Sequence, residues 1–249
     1  MKRQLSHIAL AASLLLVGCA SAPSANPKDP WESMNRSVAS FNDKVDDKVL
    51  KPVATGYRNV VPDLVQTGVR NVFNNLADMW STVNSLLQLK PLHTAESLGR
   101  VVVNTVFGIY GIFDVATYLK LERHPEDFGQ TLGYWGVPNG PYLVLPLLGP
   151  STLRDGASLP VDFAVSPTQY INDIPTRNQV FALRLVSKRA ELLKSGNMLE
   201  EASIDKYSFT RDAYLQYRRS QIYDGNPPDE EDSNDDPSAN PAANPAPAK

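Results

Sequence analysis

One cysteine, Cys19, is all the thiol chemistry this 249-residue chain carries, so no intramolecular disulfide can form. Histidine is almost as scarce. His7 lies in the N-terminal leader, which leaves His93 and His124, too few for a His/Cys zinc centre. Catalytic motifs are missing too: there is no Gly-x-Ser-x-Gly elbow and no phosphate-cradling Gly-x-x-x-x-Gly-Lys. His124, beside Pro125, Glu126 and Asp127, reads as a surface-turn residue rather than a general base. The expectation is a protein that is not an enzyme, with no cofactor and no metal. A basic excess is also lacking. The chain carries 24 bases and 27 acids, and seven of the acids fall within Asp224–Lys249. Setting aside that tail and the leader's Lys2 and Arg3 leaves a body of 20 acids and 21 bases, which excludes a nucleic-acid binder.

What is present starts at the N-terminus. Lys2 and Arg3 precede an apolar stretch, Ile8–Val17, which at about ten residues is too short to span a bilayer. Leu16-Val17-Gly18-Cys19 closes it and resembles a bacterial lipobox, which implies cleavage after Gly18 and lipid attachment at Cys19. Ala20 and Ser21 follow, with no aspartate to retain the protein at an inner membrane. The expected address is the periplasmic leaflet of the outer membrane, held by acyl chains. Residues 19–28 read as a lipidated tether, 29–223 as a single helical domain, and 224–249 as a disordered acidic tail with six prolines.

Within the domain, Asp29-Pro30-Trp31-Glu32 has the form of a capping box, and the helix it opens is expected to stop before Pro52. Val65 to Leu87 keeps helical spacing, with Asn71, Asn74, Asn75, Asn84 and Gln88 set among the apolar positions. Val101–Leu119 reads as one helix that is apolar nearly all round. Asn104, Gly108 and Gly111 share a small polar face with Asp114 at its edge. Such a helix is either buried on every side or embedded in lipid with that face against a neighbour, and the pattern leaves both open. Phe128–Pro150 is irregular, rich in glycine, proline and aromatics, with Tyr142–Leu145 as its one strand-like run and Pro138–Pro141 as a turn before it. Such a segment suits a membrane interface or a hinged gate, with a packed surface loop as the alternative; as a gate it would have Gly133, Gly136 and Gly140 as flexible points and Trp135 and Tyr142 at the interface. Helical spacing returns from Pro175 in the most basic helix of the chain, with Arg177, Arg184, Lys188, Arg189 and Lys194. A last helix runs from about Asp205 to Tyr223.

Taken in order, these blocks resemble the MlaA/VacJ family of outer-membrane lipoproteins. The resemblance rests on Asp29-Pro30-Trp31-Glu32, Asn35-Arg36 and Phe41-Asn42, then Asn71–Leu76 and Val83–Gln88. It continues through Gly99-Arg100, Asn104, Gly108, Gly111 and Asp114 to its densest part, Asp127–Gly133 with Trp135-Gly136 and Gly140–Pro146, ending in Gly149–Ser151 and Arg154-Asp155. It implies a mainly α, ring-like protein lying in one membrane leaflet, with a small irregular or hairpin loop. Phospholipids that stray into the outer leaflet would enter a central passage, with Asn104, Gly108, Gly111 and Asp114 as passage or packing residues. The implied partners are phospholipids, a trimeric outer-membrane porin, a periplasmic lipid carrier and, indirectly, an inner-membrane ABC transporter complex. A passive envelope scaffold packing on porins is the alternative.

Overall fold

The computed structural model describes residues 26–193 and 204–228. Cys19, the leader, Lys194 and the tail beyond Pro228 lie outside the described residues. Helices α1 (Glu32–Val45) and α2 (Lys51–Val60) are joined by a π-helical turn, Asp46–Leu50. Then come α3 (Asp63–Leu87), α4 (Pro91–Val106), the single turn α5 (Val115–Tyr118) and α6 (Phe128–Tyr134). A hairpin of β1 (Tyr142–Leu145) and β2 (Gly149–Thr152) leads into α7 (Leu153–Val165) and a 3-10 turn, Pro167–Tyr170. Helices α8 (Ile174–Glu191) and α9 (Lys206–Ile222) complete the described chain. The fold is mainly α, as expected.

Short polar side chains set the helix starts. Asp114, Asp127, Thr152, Asp173 and Asp205 each accept a backbone N–H from the first turn of α5, α6, α7, α8 and α9. The expected cap at Asp29 does not form. α1 begins at Glu32 without a side-chain cap, because the Asp29 carboxylate is buried and committed elsewhere. Nor does the helix end before Pro52. Proline has no N–H to give the Lys48 carbonyl and its ring crowds that oxygen. The wider π-helical turn just before it absorbs the conflict, and the chain continues helically to Val60.

Val101–Leu119 is not one helix. α4 ends at Val106, and Ile109, Tyr110 and Gly111 all take positive φ in a tight turn before α5. A Cβ on Gly108 would lie 2.1 Å from the Phe113 carbonyl oxygen, so the close fold-back at this point needs glycine. Phe128–Pro150 is more regular than expected. It contains α6 and the hairpin, whose register pairs Tyr142 with Thr152 and Leu145 with Gly149. The hairpin turn therefore falls at 146–148 rather than at Pro138–Pro141. α7 continues through Pro160, a helix the sequence reading did not separate.

The burial pattern is inverted relative to a water-soluble bundle. The buried positions of α3 are Gly68, Asn75, Asp78, Ser81, Asn84 and Ser85, and those of α4 are Ser97, Arg100 and Asn104. These two helices pack on each other through that polar stripe. Their apolar side chains, among them Leu64, Val83, Leu86, Leu92, Leu98 and Val102, are exposed. The turn after α4 and the single turn α5 carry the inversion further, with Phe107, Tyr110 at 80% exposure and Tyr118 at 85%. Among the described residues a small apolar cluster forms where Ala54 and Tyr57 of α2 meet Ala190 of α8 and Leu193 just beyond it.

Candidate functional site

Arg100 organises the polar interior between α3 and α4. Its side chain is 3% exposed. Nε donates to Asp78 at 3.3 Å, Nη1 to Thr117 Oγ1 and the Leu121 carbonyl, and Nη2 to both Asp114 oxygens at 3.0 Å. Arg123 closes the second oxygen of Asp78 at 2.7 Å. Burial would raise the Asp114 pKa, but donation from Thr117, Asn104 and Arg100 outweighs it and holds the carboxyl below its ordinary range. Asn104 gives its amide N–H to Asp114 and accepts the Ala116 backbone N–H at 2.8 Å. The four residues expected on one helix face are thus brought together by a fold-back. Asn104 and Asp114 touch, Gly108 permits the turn, and a Cβ on Gly111 would collide with Asn75 at 2.8 Å. They form a packed node.

Two further charged nodes tie the C-terminal helix to the rest. Asp155 receives Arg218 Nε and Tyr214 Oη on one oxygen, at 2.8 and 2.9 Å, and Arg154 on the other. Arg218 also grips Asp127 with both terminal nitrogens. Asp29 accepts Asn35 at 2.8 Å, Tyr207 at 2.6 Å and Arg211 at 3.4 Å. A third cluster joins Lys90, Glu126 and Asp224, with the Lys90 ammonium 3.2 Å from Glu126 and 2.7 Å from Asp224. His93 Nδ1 points at the same place. Its ligand-capable atom and those of Glu126 and Asp224 all lie within 4.8 Å of one another. His124 is not a free surface-turn residue. It stacks on His93 with ring centroids 3.8 Å apart and bonds Glu96 at 2.6 Å. Burial, then the neighbouring His124, lowers the His93 pKa. Asp224, expected in the disordered tail, is held by Lys90.

The gate residues are not gathered in one place. Trp135 is exposed and donates its indole N–H to the Leu87 carbonyl at 3.1 Å, beside the apolar end of α3. Gly136 has φ +89 with open space around it, and Gly140 has φ +66 where an added Cβ would lie 3.0 Å from Leu153 Cβ. Gly133 differs. It lies inside α6, and a Cβ there would meet Arg154 Nη1 at 2.7 Å and Ile222 Cδ1 at 2.9 Å, so it is a packing glycine rather than a hinge. Tyr142 is a correction of another kind. It is 1% exposed, enclosed edge-on by Tyr207 and Tyr214, and burial followed by the Asp29 charge pushes its hydroxyl up to about 12. It belongs to the core and not to a membrane interface. Sequence reasoning missed Asp78, Arg100, Asp155 and Arg218. For Asp78 and Arg100 the available signal was a charge set inside an apolar helix, which requires buried partners wherever the outer face meets hydrocarbon; Arg218, in a polar helix, gave none.

A mainly helical protein with paired charges inside and apolar side chains outside is of the class that membranes accommodate at their surface. Among the described residues no helix is long and apolar enough to cross a membrane. Comparison with known proteins agrees. The family model described as MlaA lipoprotein matches residues 27–221. The intermembrane phospholipid transport system lipoprotein MlaA of Shigella flexneri is 38% identical over 222 residues, 87% of each chain, and that of Escherichia coli (strain K12) is 37% identical over the same coverage. An uncharacterised protein of Rickettsia typhi is 33% identical over 195 residues, 78% of each chain. A solved chain from work on the structural basis for maintenance of bacterial outer membrane lipid asymmetry superposes with a TM-score of 0.69 at 34% identity, covering 80% of this chain and 99% of that one. The chain belongs to the MlaA lipoprotein family, a family of the outer membrane and of phospholipid transport.

Proposed function

We propose that this protein removes misplaced phospholipids from the outer leaflet of the outer membrane and passes them on for return transport, which maintains lipid asymmetry. The observation that carries this is the inverted burial. Apolar side chains of α3, α4 and the turn 107–113 face outward, and the charged network around Arg100 holds the interior. Headgroups need a polar path because a charge in hydrocarbon costs at least about 2.5 kcal/mol. Acyl chains need none. A ring of such helices in the periplasmic leaflet, anchored through lipid on Cys19, supplies both environments. Its recipient is a periplasmic lipid carrier that feeds an inner-membrane ABC transporter complex, and a trimeric porin holds the ring in place. The segment 135–141, between α6 and the hairpin, is the moving part, with Gly136 and Gly140 as its hinges.

The test is surface phospholipid in cells lacking this gene, complemented with wild type, Cys19→Ala or Gly136→Ala. Raised surface phospholipid that wild type alone reverses is expected. Unchanged surface phospholipid on deletion, in cells with no second copy of the gene, would instead favour a passive scaffold. Full complementation by Gly136→Ala would remove the hinge.

A further inference from the structure

Helix α8 packs on α2, on α3 and on the turn Pro167–Tyr170, and it carries two parallel rows of side chains away from its contact with α2. Its inner face closes on α2 through Ala190, against Ala54 and Tyr57. Roughly opposite, Arg177, Arg184 and Lys188 recur at steps of seven and four, which aligns them in one row about 16 Å long. None of these three side chains has a hydrogen bond or ion pair among the described residues. Arg189, turned away from that row, clamps Asp46 with two bonds of 2.7 Å. Beside the cations, Ile174, Phe181, Leu185 and Leu192 follow at steps of seven, four and seven, and all four are exposed. The outward half of this helix is therefore divided lengthwise into a basic row and an apolar row.

Arg184 stands at the centre of the basic row. Its side chain is exposed, yet burial pulls its pKa below the ordinary arginine value. Both conditions hold for a side chain in a concavity, open in one direction and walled by protein in others. A guanidinium so placed is partly stripped of water, and among the described residues no carboxylate pairs with it. Its planar fork matches a phosphate, and the exposed apolar row beside it matches the chain such a phosphate would carry.

We propose that this face of α8 is a phospholipid track, in which Arg177, Arg184 and Lys188 hold the headgroup phosphate and Ile174, Phe181, Leu185 and Leu192 carry the acyl chain alongside. The proposal deepens the transport reading and rests on it. The row gives successive phosphate positions, so a lipid can be handed along the helix without leaving a cation.

The experiment places photoreactive benzoylphenylalanine at position 181 of the full-length protein in outer membranes whose phospholipids are labelled with radioactive phosphate. A labelled lipid adduct is expected after illumination. Reversal of the row (Arg177→Glu, Arg184→Glu and Lys188→Glu together) should cut the adduct about tenfold or more, and Arg184→Lys should keep most of it. Circular dichroism checks that the reversed protein folds, and Arg184→Glu alone serves if it does not. A protein adduct in place of lipid, or a lipid adduct insensitive to reversal, overturns the track. So does competition on the purified protein in which inorganic phosphate displaces lipid as well as short-chain phosphatidylglycerol does, because that marks a free-anion site. Surface phospholipid separates the two possible failures. A deletion without effect removes the transport reading, whereas an effective deletion that the reversed protein fully complements removes only the track.

Discussion

Asp155 shows how single residues hold an interior built from charges. Burial would push its pKa up, but Arg218 in direct contact, with Arg154 and Tyr214, outweighs burial and depresses it. A carboxyl depressed in the folded state contributes its stability fully above the unfolded value of about 3.9, and that contribution is lost as pH falls through the lower folded value. Glu126 and Asp162 slope the other way, since burial dominates and raises both, so their ionisation costs stability as pH climbs from the unfolded value. Replacing Asp155 by Asn should cost about 3 kcal/mol at neutral pH, because Arg154 and Arg218 are left short of an anion. The variant should also lose part of the fall in unfolding midpoint that is expected of wild type below about pH 4, with Asp114, likewise depressed, supplying the remainder. Urea unfolding in detergent across pH 3–7 measures both, and a wild-type slope in the Asp155→Asn protein would mean that another carboxylate sets the acid limb.

The hairpin shows the same economy at the scale of an element. Two strands alone are marginal in water, and here α1 supplies a substitute for a third strand. Asn35 donates to the Tyr142 carbonyl at 3.0 Å and accepts the Val144 N–H at 2.9 Å. Asn42, two turns on, donates to the Leu145 carbonyl and accepts the Leu147 N–H. Each amide pairs the strand edge as a backbone would, and Lys28 adds its carbonyl to the Tyr142 N–H at 2.8 Å. Asn35→Ala leaves a buried N–H and C=O without partners, at about 1–3 kcal/mol each. Hydrogen exchange at Val144 should then quicken by roughly tenfold or more while amides of α3 are unaffected, and equal protection at Val144 would show that the hairpin stands without its clamp.

These elements also mark how far the sequence could be read. The long helix ending at Leu87, the strand at Tyr142 and the two C-terminal helices follow from spacing. The break after Val106 does not, because Ile109 and Tyr110 adopt positive φ despite bulky side chains and only Gly108 and Gly111 hint at it. Asp29 looks like a cap and is a buried anchor, a difference decided by Tyr207 and Arg211 nearly two hundred positions away. The candidate set Asn104, Gly108, Gly111 and Asp114 was legible as a group, yet the arginine that binds it was not, since spacing cannot say which charge a fold-back will enclose.

For the molecule as a whole, the rule that apolar stripes face the core is reversed, and stability and membrane contact are therefore assigned to different residues. Arg100, Asp78 and Asp155 hold the fold. Phe107, Tyr110 and Leu92 are exposed and leave water only against lipid or a partner protein. Changing Phe107 and Tyr110 to Glu together should leave the unfolding midpoint nearly unchanged, because neither side chain is enclosed. Co-flotation of the Cys19→Ala protein with phospholipid vesicles should fall at least about tenfold, since each buried aromatic contributes about 1.5–3 kcal/mol. Omitting the acyl anchor matters, because lipid on Cys19 would hold the protein to vesicles whatever the loop did. If the double variant floats as wild type does, the turn 107–113 does not carry membrane contact and the belt lies on α3 and α4 alone. If it unfolds, the apolar exterior is not independent of the charged interior, and the division between what holds the fold and what meets the membrane fails.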